Sequence, residues 1–178
     1  MWEILGQILG VVAMVITLLS FQFNTKGAQL GALTAAALVS ALGYLCLGAF
    51  SGFALNLVAM IRTLCLRQIK SGTKTSLAVA ILFSLVMCGA GVFSWEGPVS
   101  LFIIYPMAQN TICMSFGRPQ LLRKATVVSS ALMIVYNAFV FSAGGIANEL
   151  LAIASAVIGI IRFRKAKTSD SSNIANGT

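Results

Sequence analysis

The chain has 178 residues, of which 58% are apolar and 9% are charged, and its mean hydropathy is +0.95. These values exclude an ordinary soluble domain, in which about 25% of residues are charged, and they indicate a membrane protein with several spans. The net charge of +8 does not indicate nucleic-acid binding, because the basic residues stand singly or in small groups between apolar runs. That distribution is typical of membrane topology signals.

The composition also argues against an enzyme. The chain contains no His and only four acidic residues, so the commonest general base and metal ligand is missing. No spacing assembles a nucleophile with a base. The four cysteines stand within apolar runs without the paired spacing of metal ligands. We therefore expect no catalytic residues, no metal site and no cofactor.

Seven apolar runs follow one another, and each is predicted to form a membrane-spanning helix. They cover about residues 4–23, 28–50, 53–66, 75–94, 99–116, 120–142 and 146–163. A turn is predicted at Trp95 to Pro98, because Pro is favoured at the start of a helix. The small, polar tail from residue 166 is predicted to be disordered.

The charged residues predict the orientation of these spans. Eleven of the twelve Lys and Arg residues fall on one face of the membrane if there are seven spans, and the twelfth, Arg62, lies inside the third. The opposite face carries Glu3 and Glu96, next to Trp2 and Trp95. Because cytoplasmic loops are rich in Lys and Arg, we expect the N-terminus outside and the C-terminus in the cytoplasm.

Residues 44–56 are similar to residues 136–148, at an offset of 92 residues. In each segment a Tyr stands in an apolar run, a Gly-containing break follows, and an Asn occurs twelve residues after the Tyr. The same offset relates Lys26 to Arg118, Leu30 to Leu122 and Thr34 to Thr126. This agreement predicts an internal duplication.

The duplication predicts an all-α membrane protein built from two three-helix bundles joined by one connector helix. The bundles comprise residues 1–70 and 97–165, the connector residues 71–96 and the tail residues 166–178. Equivalent helices are four spans apart and cross the membrane in the same direction, so the repeats are parallel. Several glycines are further predicted to be sites of close helix packing: Gly6, Gly10, Gly27, Gly31, Gly43 and Gly48.

This three-plus-one-plus-three arrangement resembles the SWEET sugar transporters and the wider PQ-loop superfamily. At closer range the chain resembles the YgjV family of bacterial inner-membrane proteins, through LNLVAMIRTLCLR (55–67), AGGIANELL (143–151) and IIRFRK (160–165). The first resemblance implies a central pocket faced by an Asn in the third helix of each bundle, where Asn56 and Asn148 stand. The second implies the bacterial inner membrane. The SWEET-like Pro of each first helix is matched by Pro106 but not by Met14, so a symmetric Pro hinge is not expected.

Four uncharged polar residues are candidates for binding a solute. Asn56 and Asn148 lie a few residues inside apolar helices, where their amides need partners. A polar solute provides such partners, and so does packing between helices or capping of the preceding turn. Thr17 and Gln109 are equivalent at the 92-residue offset and are expected to line the same cavity. Thr17 also has the option of bonding its own helix backbone.

Two ionisable residues stand well within spans. Arg62 follows Asn56 by six residues, about 9 Å further toward the cytoplasm. It either extends to the basic interface or binds a carboxylate or an anionic solute. Glu149 stands near the opposite surface, so a direct Arg62–Glu149 ion pair is not expected. This carboxylate either couples transport to protons or is an exposed residue at a helix start.

We therefore expect a small transporter or facilitator that moves a polar solute through a pocket between the two bundles. The alternative is a membrane protein that binds or organises a partner without transport. The expected partners are the lipid bilayer and a small polar solute. The sequence leaves open whether the chain forms a homo-oligomer.

Overall fold

The computed structural model describes residues 2–93, 101–139, 141 and 143–175, and this part of the chain is all-helical. Seven helices follow one another: α1 (Trp2–Ser20), α2 (Lys26–Cys46), α3 (Phe50–Gln68), α4 (Lys74–Phe93), α5 (Leu101–Ser115), α6 (Pro119–Phe139) and α7 (Ala143–Ala175). The prediction of seven helices is confirmed within the described residues. The turn predicted at Trp95 to Pro98 lies outside them.

Local chemistry sets the breaks between the helices. The Oγ1 atom of Thr25 accepts a hydrogen bond from the backbone N–H of Ala28 at 3.3 Å and so caps the start of α2. In the described part of the chain, three turns contain a glycine with positive φ, namely Gly48 at 70°, Gly72 at 71° and Gly117 at 59°. Glycine adopts this conformation without the steric cost that a side chain would add.

Helix α7 is longer than the seventh span predicted from the sequence. That span ends at residue 163 and disorder is predicted from residue 166, whereas α7 continues to Ala175. Once a helix is nucleated, each further residue adds a hydrogen bond without a new nucleation cost. Ala166 and Lys167, which come first in the predicted tail, are good helix formers.

The helices pack largely against their neighbours in sequence. Helix α2 packs against both α1 and α3, and α6 packs against both α5 and α7. Helix α4 packs more extensively on α5 than on α3, while α1 also contacts α7. A buried apolar cluster joins α2 through α6 and consists of Leu30, Leu66, Ala80, Met114 and Leu122.

The polarity of the surface is the reverse of that of a water-soluble protein. Large apolar side chains are exposed along several helices, for example Val11, Leu82 and Leu85. Meanwhile polar side chains such as Ser20 and Thr111 are fully buried. Exposed apolar surface on this scale would favour aggregation in water, but it suits contact with lipid chains.

Three helices of the described chain are long and apolar enough to cross a membrane. They are α1, α2 and the Gly144–Arg164 part of α7. The Lys74–Gly89 part of α4 is a shorter apolar helix. Arginines within α3 and α6 lower the hydropathy of those helices. The architecture agrees with a helical membrane protein.

Candidate functional site

A cavity of about 890 Å³ lies between the helices and is lined by residues from all seven of them. It begins near Gly6 and Gly52, at the starts of α1 and α3, and reaches Phe21 and Leu122 at the other end of the bundle. Its lining is mixed, with methionines and leucines beside hydroxyl, amide and charged side chains. Such a lining suits a small molecule with several polar groups.

Five of the six side chains that the sequence singled out line this cavity: Thr17, Asn56, Arg62, Asn148 and Glu149. Gln109 does not. Its Nε2 atom donates to the carbonyl of Ala125 on α6 at 3.4 Å, while the next residue, Asn110, lines the cavity. Adjacent helical residues point about 100° apart, so the rotation of α5 places Asn110 at the cavity and turns Gln109 toward α6.

The two asparagines have different surroundings. The Nδ2 atom of Asn56 donates to the carbonyl of Gly52 at 2.9 Å, within the first turns of α3. Asn148 is exposed, and its Nδ2 atom donates to Oε1 of Glu149 at 3.5 Å, which is long for a hydrogen bond. Part of the Asn56 amide is therefore satisfied by its own helix, whereas Asn148 is held only weakly. Thr17 likewise donates to the carbonyl of Ala13 at 2.9 Å.

Arg62 turns inward instead of extending to the basic interface. Its Nη1 atom donates to Oγ1 of Thr111 on α5 at 2.8 Å, and Thr111 is fully buried. The residue also lines the cavity. Sequence reasoning left both orientations open, and the contact with α5 decides between them.

Arg123 is an important residue whose role the sequence analysis missed. Although grouped there with the basic residues of one membrane face, its side chain is 0% exposed. Its Nε and Nη2 atoms donate to the carbonyls of Phe21 and Phe23, both at 2.7 Å. The guanidinium carbon lies 4.6 Å from the ring centroid of Phe163 on α7. The adjacent Lys124 is exposed. In the sequence, Arg123 and Lys124 therefore cannot be distinguished from two exposed basic residues near the start of a helix.

Further hydrogen bonds connect α1 to α7 at the same end of the bundle. The Nε2 atom of Gln22 donates to the carbonyl of Ser155 at 3.0 Å and to its hydroxyl at 3.2 Å. In turn the Ser155 hydroxyl donates to the carbonyl of Leu18 at 2.6 Å. Together with Arg123, these bonds tie the end of α1 to α6 and α7. These bonds lie at the end of the bundle that carries most basic residues.

Comparison with protein families identifies the class of the protein. Residues 4–167 match the Imp-YgjV family, which is described as a bacterial inner membrane protein. The chain belongs to the Imp-YgjV family. No match to the chain was found among curated proteins or among solved structures. Family membership confirms the resemblance to YgjV proteins, the predicted transmembrane character and the location in the bacterial inner membrane.

Proposed function

We propose that this protein is a small transporter or facilitator that moves a polar solute through the central cavity. The observation that carries the proposal is that one cavity, lined by all seven helices, collects amide, hydroxyl and charged side chains in a chain with only 9% charged residues. Its volume of about 890 Å³ lies in the range of small-molecule sites. Polar groups inside membrane proteins commonly mark the path of a solute or ion.

The proposal includes two parallel three-helix bundles joined by α4, as in the SWEET and PQ-loop proteins. This arrangement is supported by the packing of α2 on α1 and α3 and by the packing of α6 on α5 and α7. Residues at equivalent positions also meet in space. Leu30 and Leu122 share one buried cluster, and Lys26 and Arg118 line one small crevice. Such meetings are expected near an axis that relates two copies.

An exchange of Arg and Gly supports the duplication further. A Cβ atom added to Gly31 on α2 would lie 3.4 Å from the guanidinium of Arg67 on α3. In the second half, a Cβ added to Gly159 on α7 would lie 2.8 Å from Nε of Arg123 on α6. At the 92-residue offset Gly31 corresponds to Arg123, and Arg67 corresponds to Gly159. In each copy an Arg therefore packs on a Gly at these positions. The Gly precedes the Arg in the first copy, and the Arg precedes the Gly in the second.

With the N-terminus outside and the C-terminus in the cytoplasm, the hydrogen-bonded end of the bundle is the cytoplasmic one. The cavity then extends from this hydrogen-bonded end toward the outer face. A transport cycle requires the bonds of Arg123 and Gln22 to break as the bundles move against each other. Glu149 lies at the outer part of the cavity, where a carboxylate is suitably placed to carry a proton along with the solute.

The proposal predicts a selective effect of the two asparagines on transport. Asn56→Ala and Asn148→Ala should each slow the entry of the solute that the protein admits, tested with the polyol sorbitol and the hydroxy acid gluconate, into proteoliposomes by about tenfold, with little change in folded yield. Entry is followed by light scattering, and empty liposomes give the background. Asn24→Ala, in the exposed loop after α1, is the matched control and should behave like the unaltered protein.

If the asparagines only pack helices together, uptake and yield should fall in parallel, because an interhelical hydrogen bond is worth about 0.6 kcal/mol and acts on stability. The bond of Asn56 lies within its own helix, so it does not itself join two helices. A protein that admits no solute above background, yet folds normally, would favour the partner-binding function instead.

A further inference from the structure

Among the described residues, the guanidinium group of Arg62 in the cavity has no counter-charge. In the described part of the chain, Arg62 donates one hydrogen bond, from Nη1 to Thr111. Its Nε atom is buried and has no hydrogen-bond partner. No carboxylate of the described residues pairs with it. A charged side chain inside a membrane protein normally pairs with an opposite charge or contacts a solute.

Thr111 positions the guanidinium but leaves its charge uncompensated. The Thr111 hydroxyl donates its only proton to the carbonyl of Met107 at 2.7 Å, so its oxygen is an acceptor toward Arg62. This bond occupies one of the five N–H groups of the guanidinium. None of the other described side chains accepts a hydrogen bond from the remaining donors, and among these donors Nε is buried.

Glu149 is a carboxylate in the lining of the same cavity, yet it does not supply the missing charge. It belongs to the first turns of α7, and its Oε1 atom accepts from Asn148. Arg62 instead lies in the second half of α3, six residues beyond Asn56. The cavity therefore has a negative group near one end and an unpaired positive group deeper inside.

We infer that Arg62 binds the oxyanion group, a carboxylate or a phosphate, of a small solute, so that the cavity selects organic anions. This inference rests on the proposed function and names the solute class. A guanidinium matches the geometry of a carboxylate or phosphate by donating two parallel hydrogen bonds. Asn56 is about 9 Å away along α3. A solute of that length with hydroxyl groups at its other end, such as a hydroxy acid, would reach both residues.

The test measures binding of soluble anions to the purified full-length protein in a neutral detergent. Gluconate is compared with sorbitol, and glycerol 3-phosphate with glycerol, by following thermal unfolding against solute concentration. We expect saturable stabilisation by the two anions and none by the two polyols. Arg62→Gln should weaken the apparent affinity for the anions at least about tenfold. Lys70→Gln removes a charge from an exposed loop position and should leave it unchanged.

Arg62→Lys gives a second measurement that retains the positive charge. Because Lys lacks the planar pair of donors, affinity should fall between those of the unaltered protein and Arg62→Gln. Equal stabilisation by gluconate and sorbitol would overturn the inference, and so would unchanged anion affinity in folded Arg62→Gln. A third outcome is that phosphatidylglycerol stabilises the protein, that neither soluble anion does so, and that Arg62→Gln abolishes this effect. The site would then bind a lipid headgroup, and the inference of a soluble anion would be overturned.

Uptake into phosphatidylcholine liposomes separates this inference from the proposed function. If sorbitol and gluconate enter at equal rates, both independent of Arg62, the proposed transport function is supported and the inference of anion selectivity is overturned. If anions bind in an Arg62-dependent way but no solute enters, the anion site is supported and the proposed transport function is overturned.

Discussion

Arg123 joins three separate parts of the chain through one side chain. It extends from the start of α6, bonds two carbonyls in the segment after α1 and stacks on Phe163 of α7. These carbonyls follow the last helical residue of α1, Ser20, where backbone acceptors lack partners within the helix. The guanidinium meets this need, and the aromatic ring stabilises its charge.

Replacing Arg123 should therefore strongly destabilise the protein. Arg123→Ala removes two charge-assisted hydrogen bonds and leaves two carbonyls unpaired, so we expect a loss of about 3 kcal/mol or more in the free energy of unfolding. Reversible unfolding in mixed micelles provides the measurement. Lys124→Ala, one residue later and exposed, should change it by less than about 0.5 kcal/mol. Similar losses in both variants would contradict the role assigned to Arg123.

At the scale of the helices, close packing of α1 against α2 depends on two glycines. A Cβ atom added to Gly6 would lie 2.9 Å from the carbonyl oxygen of Gly43, and one added to Gly43 would lie 3.1 Å from the carbonyl oxygen of Gly6. Small residues allow helix backbones to approach in this way. The prediction of close packing is confirmed for these two positions. It is wrong for Gly27 and Gly48, because no atom beyond the local backbone lies within 4 Å of an added Cβ there.

Substitution by Ala should have different effects at Gly6, where an added Cβ meets α2, and at Gly10, where it does not. Gly6→Ala should push α1 away from α2 and cost about 1–3 kcal/mol of stability. Gly10→Ala, one turn further along the same helix, has open space for the methyl group. It should be neutral or stabilise by up to about 1 kcal/mol, because Ala restricts the unfolded chain. Unfolding of both variants in the same micelles tests the contrast, and a destabilised Gly10→Ala would contradict the packing described here.

For the whole molecule, the proposed orientation predicts which turns face each side of the membrane. Phe141 stands in the turn between α6 and α7 and is 93% exposed, while Lys70 is exposed between α3 and α4. In a variant with the four native cysteines replaced, Phe141→Cys should react with a membrane-impermeant thiol reagent from outside intact cells. Lys70→Cys should react only after the membrane is opened. The reverse pattern would invert the orientation, and labelling of both from outside would contradict the alternation of the helices.

Much of the architecture could be predicted from sequence because it depends on local properties. Apart from the C-terminal end of α7, the apolar runs alone predict the seven helices within a few residues of their observed positions, since each run is set by its own hydropathy. The 92-residue offset places Asn56 and Asn148 at matching positions, and both line the cavity. The solute-binding role of these residues and the parallel bundles stay predictions.

Tertiary structure decided how each helix is rotated and therefore what each polar side chain contacts. Arg62 bonds Thr111, which is 49 residues away in sequence, and Arg123 bonds Phe21, which is 102 residues away. The hydropathy pattern around each Arg does not predict these partners, because an Arg buried between helices and an Arg at the membrane interface can stand in similar local sequences. Gln109 and Asn110 differ by one position, and only the packing of α5 on α6 determines that Asn110 lines the cavity. The sequence alone thus determined where the helices form, whereas helix packing determined which charges lie buried between them.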